Sequence, residues 1–471
     1  MTSRGALLVL LCLAQLLVII DISAVNVALP DMAKDLNIAQ ADIGWTITAY
    51  SLMFGSLLLL GGRAADLLGR RRVFLTGLGI FTAASIGSAF AGSADVLFAA
   101  RAGQGLGAAL LSPAALSIIM TAFQGADRAK ALGAWGAVGG AGAAIGVLFG
   151  GTLTELVGWQ AIFLINLPVG LVLAIGAAKI VPADPARPRW RGLDLPGALL
   201  ATISLAGLVY AISQAATAGW TSAQTLGVGG AALVGLAAFA ALEGRTAKPL
   251  LRVQLLADRA VGGGFVLMLA ASAVLFGAFL LSSMYMQNVL GTGPLETGLA
   301  FLPLALAAGG GAHAGSNLVR RAGIRIPMAA AFAITAGGLL LLSRVDSQGS
   351  YVSDVLPGML VAGLGLGVVL VCVAVAVLTG ASEEETGMLS GLNTTGHEIG
   401  GALGVAVLVT VATVATAGAD AAGSLANGLG DAYFAAASIA AVASLVALVA
   451  LPSATAFLPK LELAPSPMPI H

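Results

Sequence analysis

The chain has 471 residues, of which 58% are hydrophobic and only 9% charged, and its mean hydropathy is +0.99. Soluble domains run roughly 45–50% apolar and about 25% charged, so the composition excludes a water-soluble globular protein and points to one embedded in lipid. The formal net charge of zero gives no electrostatic case for binding nucleic acid.

A helix needs roughly 20 apolar residues to cross a bilayer. Fourteen such segments are predicted, near 5–28, 43–62, 73–91, 95–119, 130–152, 161–181, 196–214, 224–243, 261–286, 295–318, 326–343, 354–378, 387–416 and 432–451. Each must be helical, because lipid offers no partner to backbone N–H and C=O groups. The first continues through Asp21 into a patterned polar stretch with no cleavage site, so it reads as a retained span and not a signal peptide. Cys12 and Cys372 both fall inside apolar runs, as small core residues do. The 64 glycines suit close helix contact in lipid.

Orientation follows from the basic residues. With the N-terminus in the cytoplasm, 19 of the 22 Lys and Arg fall in inside segments. Only Lys34 and Arg344 fall outside, and Arg101 lies within a span. Both termini are therefore expected in the cytoplasm.

Charge crowds into Gly61–Arg72, between the second and third spans. There Gly62, Asp66, Gly69, Arg70, Arg71 and Arg72 fill the pattern G-x-x-x-D-x-x-G-R-[RK]-[RK], which resembles the signature loop of the major facilitator superfamily. Ile20 to Pro30 resembles that family's L-D-x-T-I-V-N-V-A-L-P, and Arg101 to Ala109 its R-x-x-Q-G-x-G-x-A. Gly142, Gly146, Gly150 and Gly151 match the span 5 antiporter pattern G-x-x-x-G-P-x-x-G-G, with Val147 where proline is usual. Gly158 to Pro168, including Asn166, resembles G-W-R-W-I-F-L-I-N-x-P, with Gln160 and Ala161 in place of Arg and Trp. Tyr285 to Pro303 resembles Y-x-Q-x-x-x-G…G-x-x-x-L-P. The resemblance covers about residues 15–410 and is nearest to the fourteen-span drug:proton antiporters.

It implies an all-α integral membrane fold of two six-helix bundles plus two extra central helices. A weak repeat agrees: Gly44, Gly61, Gly69 and Arg71 recur 254 residues later as Gly298, Gly315, Gly323 and Arg325. The boundaries follow as a first bundle over 1–181, two linker spans over 182–252, a second bundle over 253–460, and a short cytoplasmic tail over 461–471.

Asp21 and Arg101 each lie ~9–10 Å from the outer surface at 1.5 Å per helical residue. An ionised carboxylate at that depth is costly, so it pairs or takes up a proton. A cycle that joins and parts Asp21 and Arg101 would bind and release a proton; the alternative is an Asp that ties neighbouring helices together. Glu398, deep in span 13 with Asn393, Thr394 and His397, is a second proton or cation candidate, or a helix–helix hydrogen-bonding group. Asn26, Gln104, Tyr285 and Gln287 are candidates to line a substrate cavity, though Tyr285 also suits a lipid-facing place near the outer interface. The arginine loop is expected to latch the halves together on the cytoplasmic side, with Glu383–Glu385 as its partner, or simply to hold the loop inside.

The resulting expectation is a monomeric secondary transporter in a bacterial cytoplasmic membrane, exporting a hydrophobic small molecule in exchange for protons. It would use no cofactor beyond the proton gradient. No phosphate-binding loop, metal-ligand spacing or soluble domain points to an enzyme. An importer or uniporter on the same fold stays open because Val147 replaces the proline, and a non-transporting receptor or scaffold is the alternative of another class.

Overall fold

The computed structural model describes residues 3–39, 42–123, 125–183, 194–246, 249–379, 383–416 and 421–463. Its long helices, in chain order, are α1 (Ser3–Asp35), α2 (Trp45–Leu68), α3 (Arg70–Ala89), α4 (Ala94–Ala122), α5 (Gly125–Leu156), α6 (Gln160–Ile180), α7 (Leu195–Ala218) and α8 (Ala223–Glu243). There follow α9 (Arg259–Val289, its last turn a π-helix), α10 (Pro294–Ala322), α11 (Arg325–Leu342), α12 (Tyr351–Leu378), α13 (Glu383–Thr416) and α14 (Ala421–Ala450), and then a short α15 (Ala454–Leu463). Among the described residues, thirteen are long and apolar enough to cross a membrane. The fourteenth, α5, is 32 residues long and packs along α1.

Local chemistry sets many of the boundaries. Asp194, Ser222 and Asp258 each accept a backbone N–H from the first turn that follows, as N-cap residues do. Gly69 (φ 108°) joins α2 to α3 and Gly323 (φ 69°) joins α10 to α11, in the left-handed region that a side chain disfavours.

Several helices depart from the expected lengths, α1, α2, α5 and α14 most of all. α1 runs past residue 28 to Asp35, because Pro30 removes one helical hydrogen bond without ending the helix. Asp21 is thus fourteen residues from the end of α1, or ~21 Å along its axis, farther from the helix end than the sequence indicated. α14 starts at Ala421, not near 432. Gly428, Gly430 and Asp431 look like a boundary, but Ala426, Leu429 and Tyr433 are buried in the second-half core, and that packing overrides weak helix propensity.

The internal repeat is legible as geometry. α5 packs on α1 as α13 packs on α9; α4 packs on α2 and α3 as α12 packs on α10 and α11. Gly61 abuts the backbone of Ala109 and Gly315 that of Val368, so both members of the repeat serve the same contact. Gly44 faces Val405 of α13 and Gly298 faces Val147 of α5, so each meets the fifth helix of the other half. The first half is therefore α1–α6 and the second α9–α14.

The halves meet along three seams. α2 lies against α13, with Gly44 near Val405, Gly55 against Glu398, and Gly391 against Leu59. α5 meets α10 where Gly151 touches Pro294 and Leu295. α1 meets α9 through hydrogen bonds around Asn26. Of the extra pair, α7 covers the α2–α13 seam and α8 packs on α7: Thr202 donates to Ser56 Oγ (3.1 Å), Thr410 donates to the Ile212 carbonyl (3.2 Å), and Leu205 packs with Leu52 and Ile399.

Candidate functional site: a buried charged network

Asp21 lies within the first half, 1% exposed, among side chains from α3, α4 and α6. Arg101 Nη1 donates to Asp21 Oδ2 (2.5 Å), and Gln104 Nε2 (2.8 Å) and Asn166 Nδ2 (2.9 Å) both donate to Oδ1. Three donors thus converge on one buried carboxylate, and burial strengthens charge-assisted hydrogen bonds.

Arg101, also 1% exposed, has further partners. Its Nε donates to the Thr46 carbonyl (3.0 Å), its Nη1 also donates to Gln104 Oε1 (2.9 Å), and its guanidinium lies 4.5 Å from the Tyr50 ring centre. Phe163 flanks it at 5.7 Å. A guanidinium over aromatic faces gains a cation–π interaction, so α2 and α6 hold Arg101 as well as the carboxylate. Ser85 and Ser88 of α3 close the network: Ser85 Oγ accepts from Gln104 (2.8 Å) and Asn166 (3.1 Å), and Ser88 donates to Gln104 Oε1 (3.1 Å). Gly105 and Gly107 let α4 come this close, since a Cβ on either would meet the backbone of Tyr50 or Phe81.

Glu398 sits on α13, 3% exposed, against Gly55 of α2; its Oε2 has no hydrogen-bond partner among the described residues. On α2, the Tyr50 hydroxyl is likewise buried without a hydrogen-bond partner among the described residues, and Ser51 faces Glu398. One face of α2 therefore touches Arg101 and another Glu398. His397 points the other way, into the second half, with Nδ1 2.6 Å from Ser272 Oγ and its ring edge-to-face with Phe276.

The residues proposed for a substrate cavity fall in three places. Gln104 belongs wholly to the Asp21 network. Asn26 and Gln287 lie on the α1–α9 seam, where Gln287 Nε2 donates to the Val27 carbonyl (2.7 Å). Tyr285 is buried in the second half, and its hydroxyl donates to the Asp346 carbonyl (2.8 Å). It is held inside the protein, away from lipid.

In the arginine loop, Arg70 pairs with Asp66 (3.7 Å), both partly exposed. Arg71 Nη2 donates to the Ala178 carbonyl of α6 (2.6 Å). The side chains of Glu383–Glu385, the expected partner, lie outside the described residues. Gly62 has room, with Pro113 Cβ 3.8 Å from where a Cβ would be. The span 5 glycines divide their work: Gly142 faces Leu16 and Ile19, Gly146 faces Ile20 and Ser23, and Gly150 faces Ala24, all on α1, whereas Gly151 faces α10.

Sequence reasoning paired Asp21 with Arg101 but gave no part to Asn166, Ser85 or Tyr50. Asn166 carried a legible signal, an amide alone within an apolar run. A serine in α3 or a tyrosine in α2 is too ordinary to stand out.

A membrane bundle with duplicated six-helix halves and a buried ion pair in the first is the architecture of a transporter. The sequence profile of the Major Facilitator Superfamily matches residues 11–405. The chain belongs to that family, and is a transporter, not an enzyme. It is 40% identical over 414 residues to the puromycin resistance protein pur8 of Streptomyces alboniger, covering 87% of this chain and 82% of that one. It is 39% identical over 430 residues to the cephamycin export protein CmcT of Amycolatopsis lactamdurans (90% and 88% covered). The multidrug resistance protein Stp of Mycobacterium tuberculosis is 34% identical over 413 residues (87% and 76% covered). Among solved structures, a bacterial homologue of the human lysosomal transporter Spinster aligns with a TM-score of 0.72 over 98% of both chains at 16% identity, a likeness of fold.

Proposed function

We propose that this transporter exports a hydrophobic drug or antibiotic by alternating access, driven by protons moving inward. The observation that carries the reading is the Asp21–Arg101 pair, buried in a lipid-embedded bundle. A carboxylate there holds its charge only while its donors stay in place. A helix movement that draws α1 from α4 or α6 removes donors, and the group then takes up a proton. Arg101 is not stranded when that happens, because it keeps the Thr46 carbonyl, Gln104 Oε1 and the Tyr50 face. Tyr50 also links the two candidate proton sites, since α2 carries it between Arg101 and the seam with Glu398. Relatives named for resistance and export supply the direction and the class of cargo.

The distribution of basic residues supports placing both chain ends, the α2–α3 turn and the α10–α11 turn on the cytoplasmic side of the membrane. The proposed place is a bacterial cytoplasmic membrane and the proposed working unit a monomer. On that reading, the loop of Gly62, Asp66, Gly69, Arg70, Arg71 and Arg72 belongs to the cytoplasmic gate, and Asp66–Arg70 and Arg71–Ala178 are its resting contacts.

Everted vesicles containing the protein test the proposal. A lipophilic fluorescent dye should accumulate when the lumen is made acidic and leak out when an uncoupler is added. Uptake indifferent to the uncoupler would point to a facilitator, and absence of any flux to a receptor or scaffold.

A further inference from the structure

The α1–α9 seam contains a hydrogen-bond arrangement that follows from one residue, Pro30. A proline has no N–H, so the carbonyl four residues earlier loses its helical donor. That carbonyl belongs to Asn26. Ser283 of α9, in the other half of the protein, donates to this same carbonyl (3.0 Å). One residue on, the Val27 carbonyl accepts from Gln287 Nε2 (2.7 Å). Gln287 Nε2 also lies 3.1 Å from Ser283 Oγ, one helical turn away on α9.

These contacts lie toward the C-terminal ends of α1 and α9. At the same end a second pair crosses between the halves: the Leu295 N–H at the start of α10 donates to Glu155 Oε2 at the end of α5 (3.0 Å). A carboxylate at a helix N-terminus is stabilising there.

We propose that Ser283 and Gln287 are the lock of the outer gate, and that Pro30 creates the acceptor that the lock engages. The proposal rests on the alternating-access reading above. Three features suit a contact that must close and open in every cycle. Its bonds are neutral, each of modest net strength in proteins. When the seam parts, Ser283 and Gln287 keep each other as partners. The freed Asn26 carbonyl meets water entering the opened cleft, so opening leaves no buried polar group orphaned. A carbonyl in an uninterrupted helix would already have its own donor and would gain less from Ser283.

The test reads gate position directly. Spin labels at Asp42→Cys and Glu296→Cys, both exposed and on opposite halves at this end, are placed with Cys12 and Cys372 replaced by Ala. The distance distribution is recorded without substrate or gradient. Ser283→Ala with Gln287→Ala should shift the ratio of open to closed populations on the order of tenfold toward open, as expected from losing one or two such bonds. Ser283→Thr, which keeps the hydroxyl, should restore the closed population, and Asn288→Ala, exposed beside the lock, should leave it unchanged. Pro30→Ala returns a helical donor to Asn26 and should open the gate in the same direction, adding little to Ser283→Ala. An unchanged distribution in a monodisperse double variant overturns the proposal, as does a Pro30→Ala variant that stays fully closed. Because neither protons nor cargo enter this measurement, its failure is separable from failure of the export reading.

Discussion

Replacing Asp21 by Asn changes the charge of the network and almost nothing of its shape. The carboxylate accepts from Arg101 on one oxygen and from Gln104 and Asn166 on the other. An amide has one acceptor oxygen, so its NH2 must face either the guanidinium or the two amide donors. One buried donor is then left unsatisfied, which costs about 1–3 kcal/mol. Arg101 also loses its counter-charge, and breaking a buried pair from one side costs about 3–5 kcal/mol in all. The Thr46 carbonyl, Gln104 Oε1 and the Tyr50 ring still hold the guanidinium, which puts the expected loss at the lower end, ~3 kcal/mol. In detergent, Asp21→Asn should unfold at a lower temperature yet remain monodisperse. The double variant Asp21→Asn/Arg101→Gln should regain part of that loss, because the residual cost belongs to the unpaired charge. In everted vesicles, Asp21→Asn should abolish gradient-driven dye uptake while dye exchange without a gradient persists. Gradient-driven uptake at the unmodified rate would refute the assignment of Asp21 to proton coupling, whatever the stability.

Glu398→Gln should cut gradient-driven uptake on the order of tenfold or more, without loss of thermal stability, since a neutral amide costs less to bury than a carboxylate at this 3% exposed position. Asn166→Leu withdraws one donor from Asp21 and one from Ser85, and should lower stability by about 1–3 kcal/mol in chemical unfolding. Two neighbouring glycines should part company: a Cβ on Gly61 would overlap the Ala109 carbonyl oxygen, whereas one on Gly62 has no neighbour closer than 3.8 Å. Gly61→Ala should therefore reduce the yield of folded protein sharply, and Gly62→Ala should not; equal yields would contradict the close α2–α4 contact.

Several parts of the machine were legible in the sequence for plain physical reasons. Lipid forces every crossing segment into a helix, so runs of apolar residues disclosed the spans. A charge inside such a run is costly, so Asp21, Arg101 and Glu398 stood out as soon as the spans were drawn. Asn26, Gln104, Tyr285 and Gln287 were harder, because a polar residue within a span says that something faces it without saying what. Gln104 proved to serve the ion pair, Gln287 a seam, and Tyr285 the second-half core. The α14 boundary was misplaced because glycine and aspartate mark helix ends only when no tertiary packing holds the helix together.

The sequence by itself determined that this is a membrane protein of about fourteen long helices, that its halves are related, and that a few charges lie where charges are expensive. All of these follow from one-dimensional quantities: the length of apolar runs, the spacing of a repeat and the cost of burying an ion. Only the tertiary structure decided which donors share Asp21, that Tyr50 stands between Arg101 and the Glu398 seam, that α7 covers the contact of α2 with α13, and that Ser283 meets the carbonyl exposed by Pro30. Those depend on which face each helix turns to its neighbours, and residues 257 positions apart in the chain carry no local signal that they will touch.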